Sequence, residues 1–233
     1  MTTTDSLRRS LEGQFQAWCR QDAENKSVPA GPVITITREP GCGGECIAQT
    51  LAKELGLVLY DGKLVEEIAK DTHVSAQVVA TLDEKIRSEL DEWLSGLAGG
   101  PGLSSTHYVQ CLRRVLFAIA AHGNAIILGR AANFLLPAEK KTLGLCLVAP
   151  LERRIRNLAQ ELRLSPEDAR RQIALTEKER RLFVKEIGRA DITDVTNYHI
   201  VINTALVSAE TMVRIAKEIV RASSDKGNEK PIK

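Results

Sequence analysis

The densest chemistry in the sequence lies at Arg38-Glu39-Pro40-Gly41-Cys42-Gly43-Gly44-Glu45, after a β-branched run at 33–37 (VITIT) and before the helical pattern IAQTLAKEL. Glycines let a backbone turn so that several N–H groups face one anion. A following helix adds its own unsatisfied N–H groups and the positive end of its dipole. In open α/β sheets ligands bind at such strand ends, so the segment is built for phosphate. Set against the pattern G-x-x-x-x-G-K-[ST], it places Arg38 at the first Gly, Gly44 at the Lys and Glu45 at the Ser/Thr. Without the lysine, charge on a bound phosphate must be neutralised from elsewhere. Glu45 is favoured in a first helical turn by the dipole alone, and its carboxylate is also a candidate Mg²⁺ ligand in place of the missing hydroxyl. The plain alternative is a glycine-rich turn that only packs a helix on a sheet.

Other chemistries are less complete. Asp61 stands 18 residues after Gly43, near where a dinucleotide fold places its ribose-binding acid. However, Cys46 occupies the last glycine of G-x-G-x-x-G, and Gly41 comes four residues after the strand. Cys42 and Cys46 flank a helix N-terminus, where a dipole lowers thiol pKa, so a redox or nucleophilic role is open, although no partner group completes it. The five cysteines are an odd number without C-x2-C spacing, which reads as reduced thiols. His73, His107, His122 and His199 form no ligand-spaced pair.

These residues need a scaffold, and the chain is long enough to supply one. Its 233 residues, 43% hydrophobic, fit one α/β domain. Apolar runs at 33–37, 57–61, 125–128, 143–148 and 198–202 read as strands, and helical patterns separate them. The expectation is an α/β fold with a five-stranded, mainly parallel sheet and helices on both faces. Residues 5–24 read as an amphipathic helix, 75–93 as one polar helix, SGLAGGPGLSST as a surface loop, and YVQCLRRVLFAIAAHG as a helix. Ser208 opens a last helix with an ordinary cap, since Thr211 stands where a capping box has Glu or Gln.

No apolar run reaches the roughly 18–20 residues of a bilayer crossing, and the N-terminus lacks a signal-peptide core, so a cytoplasmic protein with no membrane partner is expected. The net charge of +2 argues against nucleic-acid binding. Residues 151–189 nevertheless hold 11 Lys/Arg against 7 Asp/Glu, a local excess suited to a compact anion.

Taken in order from about residue 33 to 220, the segments VITITREPGCGG, IAQTLAKELGLVLYD, AIILGRAANFLLP, CLVAPLERRI, TEKERRLF and YHIVINT resemble the cytidylate kinase-like family, a nucleoside monophosphate kinase branch of the P-loop proteins. The resemblance implies a three-layer, P-loop kinase-like domain over 31–222. Within it, an acceptor-binding insertion spans about 62–110 and an arginine-bearing lid about 151–190. A helical extension and linker, 1–30, and a disordered tail, 223–233, lie outside the domain.

It further implies ATP and Mg²⁺, with the γ-phosphate passed to a small phosphorylated acceptor, cytidylate (CMP or dCMP) first, and a homodimer as the candidate assembly. Arg38, Gly41, Cys42, Gly43, Gly44 and Glu45 would hold the ATP phosphates, and Asn203 follows the last strand where the donor base is touched. Asp61 and Lys63 begin the acceptor region, Asp61 reading equally as a helix cap. Arg130 matches the arginine of G-R-D. A charge straight after the buried AIIL must meet an anion or a carboxylate. Arg154 in APLERRI and Arg180 and Arg181 in TEKERRLF match lid arginines, with Glu177 in the acid position of D-x-x-R. Two departures bear on function. The loop lacks its lysine, and Ala131 replaces the acid of G-R-D, a group expected on the cytidine side. The missing lysine and Ser/Thr, together with the extra N-terminal helix, allow a second reading, a catalytically reduced nucleotide-binding sensor or interaction module with a degenerate phosphate loop.

Overall fold

The computed structural model describes residues 31–70, 72–98, 107–137 and 142–225. The expected N-terminal helix and most of the turn-rich stretch before Tyr108 lie outside them.

Five short runs rich in Val, Ile and Leu form the strands β1 (Val33–Arg38), β2 (Val58–Tyr60), β3 (Ala125–Leu128), β4 (Leu143–Val148) and β5 (Ile200–Asn203). They make a single sheet in the order β2-β3-β1-β4-β5, with every pairing parallel. The edges of three strands shift by one or two residues from the sequence reading. β1 runs on to Arg38, which pairs with Leu147, and β5 starts at Ile200 because His199 is spent bridging the sheet, its Nδ1 accepting from the Gly144 N–H at 3.0 Å. Parallel strands need helical crossovers, and these cover both faces.

Alternating side chains of each strand face opposite layers. On one face Ile34, Ile36, Ile126, Leu128, Leu145 and Leu147 pack under α1 (Gly44–Leu55) and the last helix, α9 (Ala209–Asp225). α9 thus runs into the segment expected as a tail, of which residues 226–233 are not described. On the other face Val33, Ala125 and Ile127 meet α2 (Gly62–Lys70), α5 (His107–His122) and α6 (Ala132–Leu135). The buried Phe117 of α5 stacks on Trp93 at 5.6 Å. The sequence reading of one helix over 75–93 is corrected to two, α3 (Thr72–Ala80) and α4 (Glu84–Ala98). Asp83 breaks the run by accepting from the Ile86 N–H at 2.8 Å, an N-cap that outweighs continued helical propensity.

A hairpin of helices, α7 (Leu151–Leu162) and α8 (Pro166–Gly188), leaves the sheet after β4. Arg163 takes the left-handed conformation that ends α7, and Ser165 starts α8 by accepting from the Asp168 N–H at 3.1 Å, with Pro166 behind it. Their own cluster is small, centred on Ile155, Ala169 and Ile173. No helix among the described residues is long and apolar enough to cross a membrane.

β1 is the central strand and carries the glycine loop at its carboxyl end. Ile36 is 1% exposed in the middle of it. Ile36→Ala should therefore lower unfolding free energy by about 2–5 kcal/mol, transfer and cavity costs together, read from urea denaturation.

Candidate active site

The strand order reverses at β1, since the chain moves out to β2 and β3 on one side and to β4 and β5 on the other. Ligand clefts of open parallel sheets form at such a point, beyond the carboxyl ends of the strands. A cavity of about 610 Å³ lies there, bounded by Arg38 of β1, Asp61 after β2, Gly129 and Arg130 after β3, and Arg180 and Phe183 of α8.

Gly41 (φ 78°) and Gly43 (φ 80°) both take left-handed conformations in the glycine loop. At Gly41 a Cβ would also stand 2.5 Å from the carbonyl oxygen of Arg154, so the close approach of α7 adds a second reason for glycine. The loop is fastened from several sides. Asn157 donates to the Gly41 carbonyl and Thr204 to the Cys42 carbonyl, each at 2.8 Å. Glu39 accepts from the Ala149 N–H at 2.9 Å and pairs with Arg154 at 3.3 Å. The N-terminus of α1 has no side-chain cap, which leaves it facing whatever the loop binds. Cys42 is buried, and burial pushes its thiol up to about 11, against the hydrogen bond from Gly44. The thiol is therefore protonated at neutral pH, which removes the reactive form that a nucleophilic role needs.

Three arginines converge on the cavity. Arg38 crosses Gly44 toward Gly129 and gives Nε and Nη2 to Glu45 Oε1 at 3.3 and 3.2 Å. Arg180 donates to the backbone carbonyl of Arg38 at 2.8 Å. Desolvation first, then repulsion from Arg38 and to a lesser degree Arg130, brings Arg180 down to about 10, still charged at neutral pH. Arg130 sits in a run of three left-handed residues, Gly129 (φ 84°), Arg130 (φ 49°) and Ala131 (φ 53°). Two of these carry side chains, so the backbone holds strain that packing must offset. The run turns Arg130 back onto α2, where Nε donates to the Gly62 carbonyl at 2.7 Å and the guanidinium pairs with Glu66. Lys70 chiefly, and Arg130 with it, hold the Glu66 carboxyl below its usual range. Asp61 acts as the cap of α2, its Oδ1 accepting from the N–H groups of Lys63 and Leu64 at 2.8 Å each, and it lines the cavity together with Lys63.

The other residues singled out from the sequence lie elsewhere. Arg154 is 6% exposed and is fully used by the Ala149 carbonyl (3.0 Å), Glu39 and Glu177 (2.6 Å), so it fastens α8 and the glycine loop together and does not line the cavity. Arg181 points to solvent and its charge falls on Asp191. Asn203 closes the turn after β5, its side chain accepting from the Ala205 N–H at 3.0 Å. Sequence reasoning passed over Glu66 and Tyr108, which contact Arg130, and Phe134, Glu179 and Phe183, which wall the cavity. Only Glu66 had a signal, as a carboxylate one turn into the helix that Asp61 caps.

Arg154→Met leaves Glu39 and Glu177 without their shared cation. It should cost about 3 kcal/mol in urea denaturation, the low end for a buried pair because both carboxylates reach water.

The sequence profile of the cytidylate kinase-like family matches residues 33–206. Cytidylate kinase of Methanopyrus kandleri is 30% identical over 197 residues, covering 81% of this chain and 92% of that protein. Cytidylate kinase of Pyrococcus horikoshii is 28% identical over 192 residues, covering 81% and 88%. Among solved structures, an uncharacterized protein from Eubacterium ventriosum is similar in fold, with a TM-score of 0.63 at 19% identity, covering 82% of this chain and 98% of that one. The glycine loop at the carboxyl end of the central parallel strand, the arginine-lined cleft beyond it and a match across both halves of the sheet agree, and the chain belongs to the cytidylate kinase-like family.

Proposed function

We propose that this chain is an ATP-dependent kinase that passes the γ-phosphoryl group to a small phosphorylated acceptor in the cytoplasm, with cytidylate (CMP or dCMP) the first candidate. The observation that carries the reading is the convergence of Arg38, Arg130 and Arg180 on one cleft, where Arg180 is desolvated beside two like charges. Such an arrangement is costly until an anion enters. Phosphoryl transfer needs positioning and charge neutralisation more than covalent chemistry, and guanidinium groups supply both.

In this reading the loop from Gly41 to Glu45 and Arg38 hold the donor phosphates, and Arg180 stabilises the charge that develops on the transferred group. Arg130, Asp61 and Lys63 receive the acceptor. The apolar wall of Phe134 and Phe183 gives a flat base a dry surface. Ala131 contributes no carboxylate, so selection for cytosine must come from this wall and its polar neighbours.

The described residues contain no cluster of three or more His, Cys, Asp or Glu side chains fit to cage a metal. The cleft instead presents the single carboxylates of Glu45, Asp61 and Glu179, which fits Mg²⁺ brought on phosphate oxygens and steadied by one or two acids. When bound, Mg²⁺ neutralises charge between phosphate groups.

Calorimetric titration should show weak ATP binding that tightens several-fold with Mg²⁺ over chelator. A coupled assay on nucleoside monophosphates should then give slow turnover with CMP ahead of the others. Arg180→Ala should lower kcat by about 10²–10³ while changing ATP affinity much less, the signature of an interaction made in the transition state. Arg130→Ala should raise KM for the monophosphate and leave the fold intact, because Glu66 keeps Lys70 at 2.6 Å. Absence of ATP binding would end the kinase reading, and binding without turnover on any monophosphate would favour a nucleotide sensor.

A further inference from the structure

Resting on the reading of this cleft as a phosphoryl-transfer site, we propose that Arg38 has taken over the place and task of the helix lysine in ordinary phosphate loops. Gly44 and Gly129 are the room made for it, and Glu45 is the counter-ion that holds it until a triphosphate arrives.

The argument begins with space. In the phosphate-loop pattern the lysine stands one residue after the last loop glycine, which is the register of Gly44 here. A Cβ built on Gly44 would lie 2.7 Å from Cγ and 2.9 Å from Cβ of Arg38. Any side chain at 44 and the present path of Arg38 are therefore mutually exclusive. The far end of Arg38 meets the same condition at Gly129, where a Cβ would collide with Nη1. A side chain at 44 and one at 38 are thus alternatives for the same space, and here the arginine at 38 fills it. The cation comes from the end of β1 and the helix gives up the volume.

Charge supports the same conclusion. The Arg38 side chain is only 15% exposed, whereas its partner Glu45 is 60% exposed. A carboxylate so open to water holds a cation weakly. A phosphate offers the guanidinium two oxygens in a matching plane and more negative charge, so it should displace Glu45. The released carboxylate remains in the first turn of α1, beside the phosphates. Arg180 hydrogen-bonds the carbonyl of Arg38 and feels its charge, so an anion taken by Arg38 also relieves Arg180.

The experiment uses full-length protein, chelator, and two probes, ATP and inorganic tripolyphosphate, titrated by calorimetry, with thermal melting to verify each fold. Arg38→Met, which keeps the buried stem, should weaken both probes at least tenfold. Gly44→Lys should weaken them to a similar degree because the new chain collides with Arg38, and the double variant Arg38→Gly with Gly44→Lys should regain most of the lost affinity. That rescue is a result no merely structural role for Arg38 would give. Glu45→Gln should tighten tripolyphosphate binding several-fold in the wild-type background and much less in Arg38→Met. Gly44→Ala adds the smallest group that meets Arg38, and in protein shown by melting to be folded its affinity should drop. Wild-type binding of ATP together with equal binding by Arg38→Met or by Gly44→Ala, or no rescue in the folded double variant, would overturn the relocation and leave the kinase reading standing. Wild-type protein that binds neither probe in chelator would overturn the relocation, and the kinase reading would fall with it only if ATP also failed to bind with Mg²⁺.

Discussion

Guanidinium groups gathered in a half-buried cleft repel one another, and the way this protein contains that repulsion organises everything around its site. Among the described residues, Arg38, Arg130 and Arg154 are each given a carboxylate: Glu45, Glu66, and the pair Glu39 and Glu177. Arg180 receives a backbone carbonyl, that of Arg38, and burial beside the Arg38 charge brings it down to about 10. The gradient has a consequence. A charge tied to a buried network is structural, a charge tied to an exposed acid is exchangeable, and a charge resting on a carbonyl is waiting for an anion. Arg154, Arg38 and Arg180 are the three cases in that order.

The same gradient explains which parts of the site could be read before the fold was known. Arg38 ends β1, Asp61 follows β2, Arg130 comes two residues after β3 and Glu45 opens the helix behind the glycine loop, and a strand end fixes where the next residues go. The β-branched and aliphatic runs that make those strands are themselves plain, and β3 and β4 occur where the pattern places them. Edge limits moved only where local bonds intervened, as at His199. The helical contributors were harder. Glu66 and Tyr108 reach Arg130, and Phe134 and Phe183 reach the cavity wall, from four different helices, and their facing is decided by packing against residues far away in sequence. The split between α3 and α4 was hidden because the helical pattern runs unbroken through polar positions, while the cap that ends it is a single aspartate, Asp83.

Arg180 and Arg181 show that more was legible than the motif alone revealed. Adjacent residues of a helix point about 100° apart, so one of them at most can face the cleft. The buried positions of α8 are Ala169, Ile173, Val184 and Ile187. Arg180 stands seven residues after Ile173 and four before Val184, on that inner stripe, and Arg181 falls off it. The opposite lesson comes from Arg154. Its motif resembles a lid arginine, yet nothing near it in sequence announces Glu39, more than a hundred residues away, which turns it into a fastening.

That fastening bears on motion. The α7–α8 hairpin has a small cluster of its own, and a hairpin with so few buried contacts is drawn from the less stable end of a structure. The end of α8 is held in the main core by Val184 and Ile187, and the remaining ties run through the glycine loop: Arg154 joins Glu39 to Glu177, Asn157 holds the Gly41 carbonyl, and Arg180 holds the carbonyl of Arg38. An anion seated on the loop therefore acts where the hairpin is attached. On the kinase reading, such an anion competes with Glu45 for Arg38 and alters the field at Arg180 of α8, the helix that also carries Phe183 and Glu179 in the cavity wall. The side chains that would meet a donor phosphate on that reading are thus also the ones that fasten the hairpin, so its attachment and its ligand share the same groups.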